Sequence, residues 1–138
     1  MLALDCLLIE AIAGYERGSH TRVGQTGDAF ETFLLKPPFR RDFEIDDRAK
    51  SFARAVRHGI LHDGETRHGW IVWKTSPTGR LVAPLRDGRL RIYRDAFHAR
   101  VKEYVAGYFA RLLEDREQEL RVHFISRMKE LCDESAPP

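Results

Sequence analysis

The chain has 138 residues, and because a domain takes roughly 150, this length excludes a two-domain enzyme and predicts one domain over residues 1–138. A composition of 43% hydrophobic and 32% charged residues excludes a disordered chain and predicts a soluble globular protein. The formal net charge of +2 is too small to indicate a polyanionic partner by itself.

The N-terminal segment does not have the pattern of a signal peptide, because no basic residue precedes its apolar stretch and Asp5 and Glu10 interrupt it. The longest stretch without charge, 104–110, has seven residues, whereas a membrane-spanning helix needs about 20. We therefore expect a cytoplasmic protein with no membrane partner. In that reducing compartment Cys6 and Cys132, which lack metal-ligand spacing, are predicted to be free thiols buried in the core.

Three helices are predicted in the N-terminal half. Apolar residues recur at helical spacing through 2–17 and define the first helix. A short second helix follows Asp28 and ends before Pro37–Pro38, whose rings cannot donate backbone hydrogen bonds. The third helix begins at Asp46 or Asp47, either of which can cap it.

A small sheet is predicted between Trp70 and Tyr93, where apolar stretches are separated by the turn sequences 76–79 and 87–88. The second turn is Asp-Gly, the pair most favoured in tight two-residue hairpins. The segment therefore predicts a three-stranded antiparallel meander over about 70–93.

The C-terminal third has helical periodicity from Asp95 to Leu131, interrupted by charged residues at 114–119. The two apolar stretches are in phase, so that one long helix and two helices both fit. One long helix would extend beyond a domain of this size and would need a second subunit to cover it, so we expect a homodimer. The predicted fold is mainly α, a bundle of four or five helices with the antiparallel meander inserted before a long C-terminal helix.

Residues 54–68 contain three of the six histidines and three arginines, at the predicted end of the third helix. Cleavage of RNA without a metal needs a base for the 2′-hydroxyl proton and cationic donors for a pentacovalent phosphorane. His and Arg supply both near neutral pH. The candidates for this chemistry are Arg57, His58 and His62, and the candidate substrate-binding residues of the same segment are Arg54, Arg67 and His68.

The segment from Arg57 to His62 resembles the motif of HEPN (higher eukaryote and prokaryote nucleotide-binding) domains, in which an Arg and a polar residue precede a His by a few residues. These domains are helical bundles that commonly dimerise, and many are metal-independent endoribonucleases of toxin-antitoxin, abortive-infection and CRISPR-associated systems. The resemblance implies that Arg57 and His62 are catalytic and His58 is an accessory residue. It also implies RNA or a nucleotide, a second copy of the chain and an antitoxin or regulatory protein as partners.

The spacing of the motif raises a geometric problem for a single chain. On a regular helix Arg57 and His62 point about 140° apart, so they face one phosphate only if the turn at Gly59 unwinds. Two chains that meet at the motif would instead form a composite cleft with both residues from each subunit.

Other interpretations use the same side chains. They can cap the helix end or form ion pairs within a noncatalytic module that binds a nucleotide or a protein. The four-residue spacing of His58 and His62 also fits a metal pair, with a third ligand drawn from His68, Asp63 and Glu65. No further ligand pair is visible in the sequence, so a site without metal or cofactor is favoured.

Two weaker signals lie in the predicted sheet. Trp70 and Trp73 could stack on nucleic-acid bases, although core or interface positions are the commoner role. A basic cluster, which suits either an RNA backbone or a solvated edge strand, comprises Arg86, Arg89, Arg91 and Arg94. The favoured function is a metal-independent endoribonuclease or RNA-directed protein of a toxin or defence system, and the alternative is a noncatalytic dimeric module.

Overall fold

The computed structural model of this chain describes residues 1–19, 26–67 and 69–134, and the predicted mainly-α class is confirmed. The elements in chain order are α1 (Leu2–Arg17), α2 (Thr26–Leu34), α3 (Arg40–Phe43), α4 (Arg48–Phe52), a π-helical segment (Ala53–Arg57), α5 (His58–Asp63), β1 (Trp70–Trp73), β2 (Val82–Pro84), β3 (Leu90–Tyr93), α6 (Arg94–Leu112) and α7 (Gln118–Glu134).

The helices of the N-terminal half lie where the sequence predicts them. α1 ends at Gly18, whose φ of 74° gives the left-handed conformation that commonly terminates helices. α2 ends at Leu34, shortly before Pro37–Pro38. The third predicted helix is a continuous run made of α4, the π-helical segment and α5, which we call the motif helix. It follows Asp47, although the Asp47 side chain makes no capping hydrogen bond.

Aromatic side chains fill the centre of the fold. Phe52 of α4 is fully buried, and its ring lies 5.3–6.0 Å from the rings of Phe30, Phe43, Trp70 and Phe97. Ring pairs at these separations add stability beyond the apolar area that they bury. The motif helix, α2, α6 and the sheet are thus joined through one residue.

The predicted antiparallel meander is wrong in one of its two pairings. The strand order is β1-β3-β2, with β1 parallel to β3 and β2 antiparallel to β3. The connection over 74–81 is long enough to carry β2 past β3, so its turn residues do not form a hairpin. The second turn does form one, but with a three-residue loop, 86–88, in which Gly88 has a φ of 82°.

The C-terminal segment forms two helices, the second of the two arrangements that fit the sequence, and not one long C-terminal helix. α6 ends at Leu112, and the Arg121 guanidinium of α7 donates to the backbone oxygens of Leu112, Glu114 and Asp115. Arg121 therefore stabilises the turn by satisfying carbonyls that a continuous helix would have bonded internally. α7 then packs along α1, where the Phe124 ring stacks 5.1 Å from that of Tyr15. The length of the C-terminal segment thus gives no reason for a second subunit.

The two thiols differ in burial. Cys6 is fully buried in α1, whereas Cys132 is exposed on α7, so the prediction of two buried thiols is wrong for Cys132. Both are free cysteines. In the described part of the chain, no helix combines the length and the apolar character needed to cross a bilayer.

Candidate functional site

The motif helix changes its winding at the start of the segment from Arg57 to His62. The π-helical segment ends at Arg57, and the regular turn of α5 begins at His58. Gly59 lies within α5, so the helix does not unwind at that glycine, and the wide turn lies in the π-helical segment that ends at Arg57. Short π-helical segments of this kind occur frequently at functional sites, since the extra residue redirects the side chains that follow.

Arg57 points towards α1. Its Nε donates a hydrogen bond to Oε1 of Glu10, and the two side chains are 16% and 21% exposed. The guanidinium carries four further N–H groups, and within the described residues no hydrogen bond engages its terminal nitrogens. Glu10 therefore fixes the direction of the Arg57 guanidinium through a hydrogen bond to its Nε alone.

His58 and His62 are brought together on the outer face of α5. Both residues are exposed, and their ring centroids are 4.4 Å apart with an interplanar angle of 43°. The four-residue spacing produces this contact, because residues i and i+4 are neighbours on a helix. Neither imidazole forms a hydrogen bond with another described residue, so their nitrogens are available to solvent and to a ligand.

The three predicted substrate-binding residues have different outcomes. Arg54 is exposed on the π-helical segment, one turn before His58. Arg67 is 43% exposed and forms an ion pair with Asp63, the last residue of α5. His68 lies outside the described residues. The structure therefore retains Arg54 as an accessible cation and ties Arg67 to the end of α5.

Gly59 has a packing role that the sequence does not reveal. The segment after α5 folds back over the helix, and the backbone N–H of Arg67 donates to the carbonyl of Ala55 at 2.9 Å. A Cβ atom at Gly59 would collide with the backbone oxygen of Glu65. The absent side chain thus allows the segment that leads to β1 to lie against the motif helix.

The buried thiol of Cys6 lies near the ion pair between Arg57 and Glu10. Burial raises the pKa of Cys6 to about 12, and the charges of Asp5 and Glu10 act in the same direction, opposed by Arg57. The Cys6 thiol is therefore protonated at neutral pH and is no candidate for a nucleophile or a metal ligand.

The metal interpretation requires a third ligand beside the two histidines. Among the residues that the structure describes, no group of three or more His, Cys, Asp or Glu side chains could hold a metal ion. His68, one of the possible third ligands, is not among them.

Sequence reasoning missed Glu10. It was noted only as a charge that interrupts an apolar segment, yet it is the residue that orients Arg57. The available signal was its position: Glu10 lies one residue after buried Ile9 and at the border of the apolar face of α1.

Comparisons of this chain with protein families, with curated proteins and with solved structures found no match. The functional conclusion therefore depends on the residues and geometry of the site.

Proposed function

We propose that this protein is a metal-independent endoribonuclease of the HEPN-like type, acting in a toxin or defence system as a homodimer with a composite Arg/His site. The observation that carries the proposal is the pair of exposed, contacting imidazoles of His58 and His62 directly after Arg57, whose side chain Glu10 holds in one direction. Two imidazoles can serve as base and acid near neutral pH, and a guanidinium stabilises an anionic phosphorane.

The ion pair with Glu10 leaves Arg57 able to bind phosphate. An arginine presents several N–H donors in a planar fork, and Glu10 accepts from Nε alone. The carboxylate thereby restrains a side chain that would otherwise lose conformational entropy on binding substrate. Glu10 is a positioning residue in this proposal, and the terminal nitrogens of Arg57 are the phosphate donors.

In the proposed mechanism one imidazole accepts a proton from the RNA and another donates a proton to it. His62 removes the proton of the RNA 2′-hydroxyl, and that oxygen attacks the adjacent phosphorus. Arg57 stabilises the pentacovalent phosphorane, and the bond between phosphorus and the 5′ oxygen breaks. His58 or the second protomer's copy of His62 gives a proton to the leaving 5′ oxygen. The products are a 2′,3′-cyclic phosphate end and a 5′-hydroxyl end, with no net consumption of water.

A second protomer would meet this site along α1. Leu4, Leu7 and Leu8 are 68%, 49% and 37% exposed, and Leu7 lies one turn before Glu10 on the same helix. α7 packs against the C-terminal part of α1, where the His123 ring is hydrogen-bonded to the backbone oxygen of Glu16 and a Cβ atom at Gly18 would collide with His123. The exposed leucines occupy the N-terminal part, and a second copy that buries them would bring two motifs close together.

One observation favours a noncatalytic module as the second candidate function. Arg57 is mostly shielded from solvent, and its charge is balanced by Glu10. In such a module this pair joins the motif helix to α1, while His58 and His62 bind a nucleotide without cleaving RNA. The two candidates differ in the expected effect of the Arg57 substitution on activity and on stability.

The test is incubation of the purified protein with labelled single-stranded RNA in excess chelator. We expect cleavage with cyclic phosphate ends, and no cleavage when each 2′-hydroxyl is replaced by 2′-O-methyl. His62→Ala should reduce the rate at least 100-fold, because a positioned acid–base group contributes roughly 100-fold or more. Arg57→Lys should reduce it by about 100-fold, because it removes a positioned donor to the anionic phosphorane. Arg54→Ala should weaken substrate binding with a smaller effect on the bound reaction.

The matched control for Arg54 is Arg41→Ala, since Arg41 is also exposed and lies on α3. It should leave the cleavage rate unchanged. Absence of cleavage, together with nucleotide binding that requires His58 and His62, would replace the nuclease by the noncatalytic module. Cleavage that chelator abolishes would replace the metal-free site by a metal site.

A further inference from the structure

The sheet has an outer face that combines aromatic and cationic side chains. Trp73 of β1 is paired in register with Tyr93 of β3, so both side chains project from the same face as Arg91, two residues before Tyr93. The Arg91 guanidinium lies 4.5 Å from the Trp73 ring centroid and 5.8 Å from that of Tyr93. Trp73 is 52% exposed, whereas Tyr93 is buried beside Arg91 and Trp70 is buried in the core.

The segment that forms the sheet is also the most basic part of the chain. Residues 70–94 contain six of the 23 basic residues and one of the 21 acidic residues, which gives the segment a net charge of +5. The remainder of the chain has a net charge of −3. The small net charge of the whole protein therefore conceals a positive sheet region on an otherwise negative molecule, and this asymmetry favours a polyanion at the sheet.

Arg91 lacks the internal partner that most arginines of this fold have. In the described part of the chain it forms no ion pair with a carboxylate, and its Nε is buried without a hydrogen-bond partner. Its one hydrogen bond is a long one, 3.4 Å from Nη1 to the Tyr93 hydroxyl. Its neighbours Arg89 and Arg94, by contrast, are paired with Asp87 and Asp95. An arginine that lies over an indole ring and has no carboxylate partner is a suitable phosphate donor.

We propose that this face, which we call the Trp73 platform and define by Trp73 and Arg91, binds single-stranded RNA, with the buried Tyr93 ring packed against the Arg91 guanidinium. A base stacks on the exposed indole of Trp73, and Arg91 donates to the adjoining phosphate. Exposed aromatic rings with interleaved arginines are how proteins bind unpaired bases, because every base has a face that can stack. The choice of RNA as ligand rests on the proposed function, whereas the platform lies outside the His58 and His62 pair and would bind the substrate rather than cleave it.

An acidic peptide is the competing ligand for such a surface. It would use Arg91 and the positive charge but would not require a flat ring at position 73. The indole is exposed on the same face as the unpaired guanidinium, and this pairing favours a base joined to a phosphate. Replacement of the Trp73 ring by an aliphatic side chain distinguishes the two ligands, because it should weaken the binding of RNA but not that of an acidic peptide.

The experiment measures binding of fluorescein-labelled 2′-O-methyl RNA, a single-stranded 12-mer of mixed sequence, by fluorescence anisotropy. The 2′-O-methyl group removes the nucleophile, so binding is observed without cleavage. We expect Trp73→Leu to raise Kd about tenfold, since stacking on an aromatic ring contributes roughly 1–3 kcal/mol per base. Trp73→Phe retains a flat ring and should raise Kd less than threefold. Arg91→Ala should raise Kd and reduce its dependence on salt.

The matched controls lie on other elements of the fold. Phe109→Leu removes an equally exposed aromatic ring from α6, and Arg41→Ala removes an exposed cation from α3. Both should bind as the wild type does, and circular dichroism should show the same helix content in every variant. The proposal is overturned if Trp73→Leu binds within twofold of the wild type. It is equally overturned if a poly-glutamate 12-mer, or the same RNA in duplex form, competes as well as the single strand.

The binding experiment on the Trp73 platform and the cleavage experiment on the proposed nuclease can fail independently of each other. Trp73-dependent binding of 2′-O-methyl RNA by a protein that leaves ordinary RNA intact would support the platform and contradict the nuclease. Cleavage that requires His62, with Trp73→Leu binding as the wild type does, would support the nuclease and contradict the platform.

Discussion

Arg57 and Glu10 are 47 residues apart in the chain, and the hydrogen bond from the Arg57 Nε to the Glu10 carboxylate joins the motif helix to α1. Both side chains are more than three-quarters shielded from solvent. Removal of either one leaves a largely buried charge without its partner, which is why partly buried pairs are sensitive to single substitutions. The same contact sets the direction of the phosphate donor in the proposed nuclease.

A double-mutant cycle measures this contact. Glu10→Gln and Arg57→Met should each lower the free energy of unfolding by about 2 kcal/mol, because each leaves one partner unpaired. The double variant should lose about 1–2 kcal/mol less than the sum of the two. Urea denaturation provides all four values.

An exposed pair of the same type is the control for this cycle. Arg40 and Glu44 form an ion pair at 2.7 Å in which the side chains are 66% and 47% exposed. Their coupling should stay at or below about 0.5 kcal/mol, since water screens it. A coupling between Arg57 and Glu10 that is no larger than this value would mean that the contact does not join the two helices in solution.

Gly59→Ala should destabilise the fold, because the added Cβ would collide with the backbone oxygen of Glu65 and force the returning segment away from the motif helix. We expect a loss of about 2 kcal/mol in the free energy of unfolding, which is typical of overpacking. Gly107→Ala is the matched control, since Gly107 lies in α6 with no atom near its Cβ position. It should gain up to about 1 kcal/mol from helix propensity. Equal effects at the two glycines would contradict the close approach at Gly59.

Local signals in the sequence were sufficient for much of the fold. The apolar period of 2–17, the glycine after it and the Pro37–Pro38 stop correctly predicted two helices. Strand pairing was not predictable in the same way, because the parallel partner of β1 is chosen by tertiary packing around Trp70 rather than by turn residues. The break after Leu112 depends on Arg121, a residue of the next helix, so the phase of the apolar stripe could not reveal it.

The candidate site was predictable as residue types but not as geometry. The i, i+4 spacing of His58 and His62 was sufficient to predict that they meet on one helical face. The partner of Arg57 is far away in the chain, and no local pattern connects it to Glu10. The unpaired state of Arg91 is likewise a property of the folded sheet, because four other basic residues within ten positions have the same local composition.

Dimerisation through the exposed face of α1 can be tested by measuring the mass of the protein in solution by analytical ultracentrifugation. The wild type should sediment as a species of twice the 16.0 kDa chain mass, because burial of Leu4 and Leu7 stabilises the pair. The double variant Leu4→Glu/Leu7→Glu should sediment as a monomer, retain its helix content and lose RNA cleavage. Leu113→Glu is the control, since Leu113 is 86% exposed in the turn between α6 and α7. Dissociation caused by Leu113→Glu instead would move the interface away from α1.

Two tyrosines of α6 should ionise late in an alkaline titration. Burial, followed by the hydrogen bond to Glu16, raises the pKa of Tyr104, and burial raises the pKa of Tyr108 to about 12. Because these folded-state pKa values lie above the ordinary value of about 10, their contribution to stability is complete below pH ~10 and is lost as the pH rises further. The phenolate absorbance that Tyr108→Phe removes should appear near pH ~12 in the native protein and near the ordinary pH ~10 in denaturant.

Removal of the Tyr104 and Tyr108 hydroxyls, one at a time, should have different effects on stability. Tyr104→Phe should lower the free energy of unfolding by about 1–2 kcal/mol at neutral pH, because it removes the hydrogen bond to the Glu16 carboxylate. Tyr108→Phe should be neutral or stabilising, since the buried Tyr108 hydroxyl has no hydrogen-bond partner within the described residues. A larger loss at Tyr108 than at Tyr104 would contradict this assignment.

The two cysteines should differ sharply in reactivity. Cys6 is fully buried and its pKa is raised to about 12, so at pH ~8 it is both inaccessible and protonated. Cys132 is exposed on α7. A thiol reagent should therefore modify one cysteine per chain in the native protein and two per chain in the denatured protein. Cys132→Ser should abolish the reaction of the native protein. Rapid native modification of the Cys132→Ser variant would show that α1 opens near Arg57, and the reaction rate would then measure how often the motif helix separates from α1.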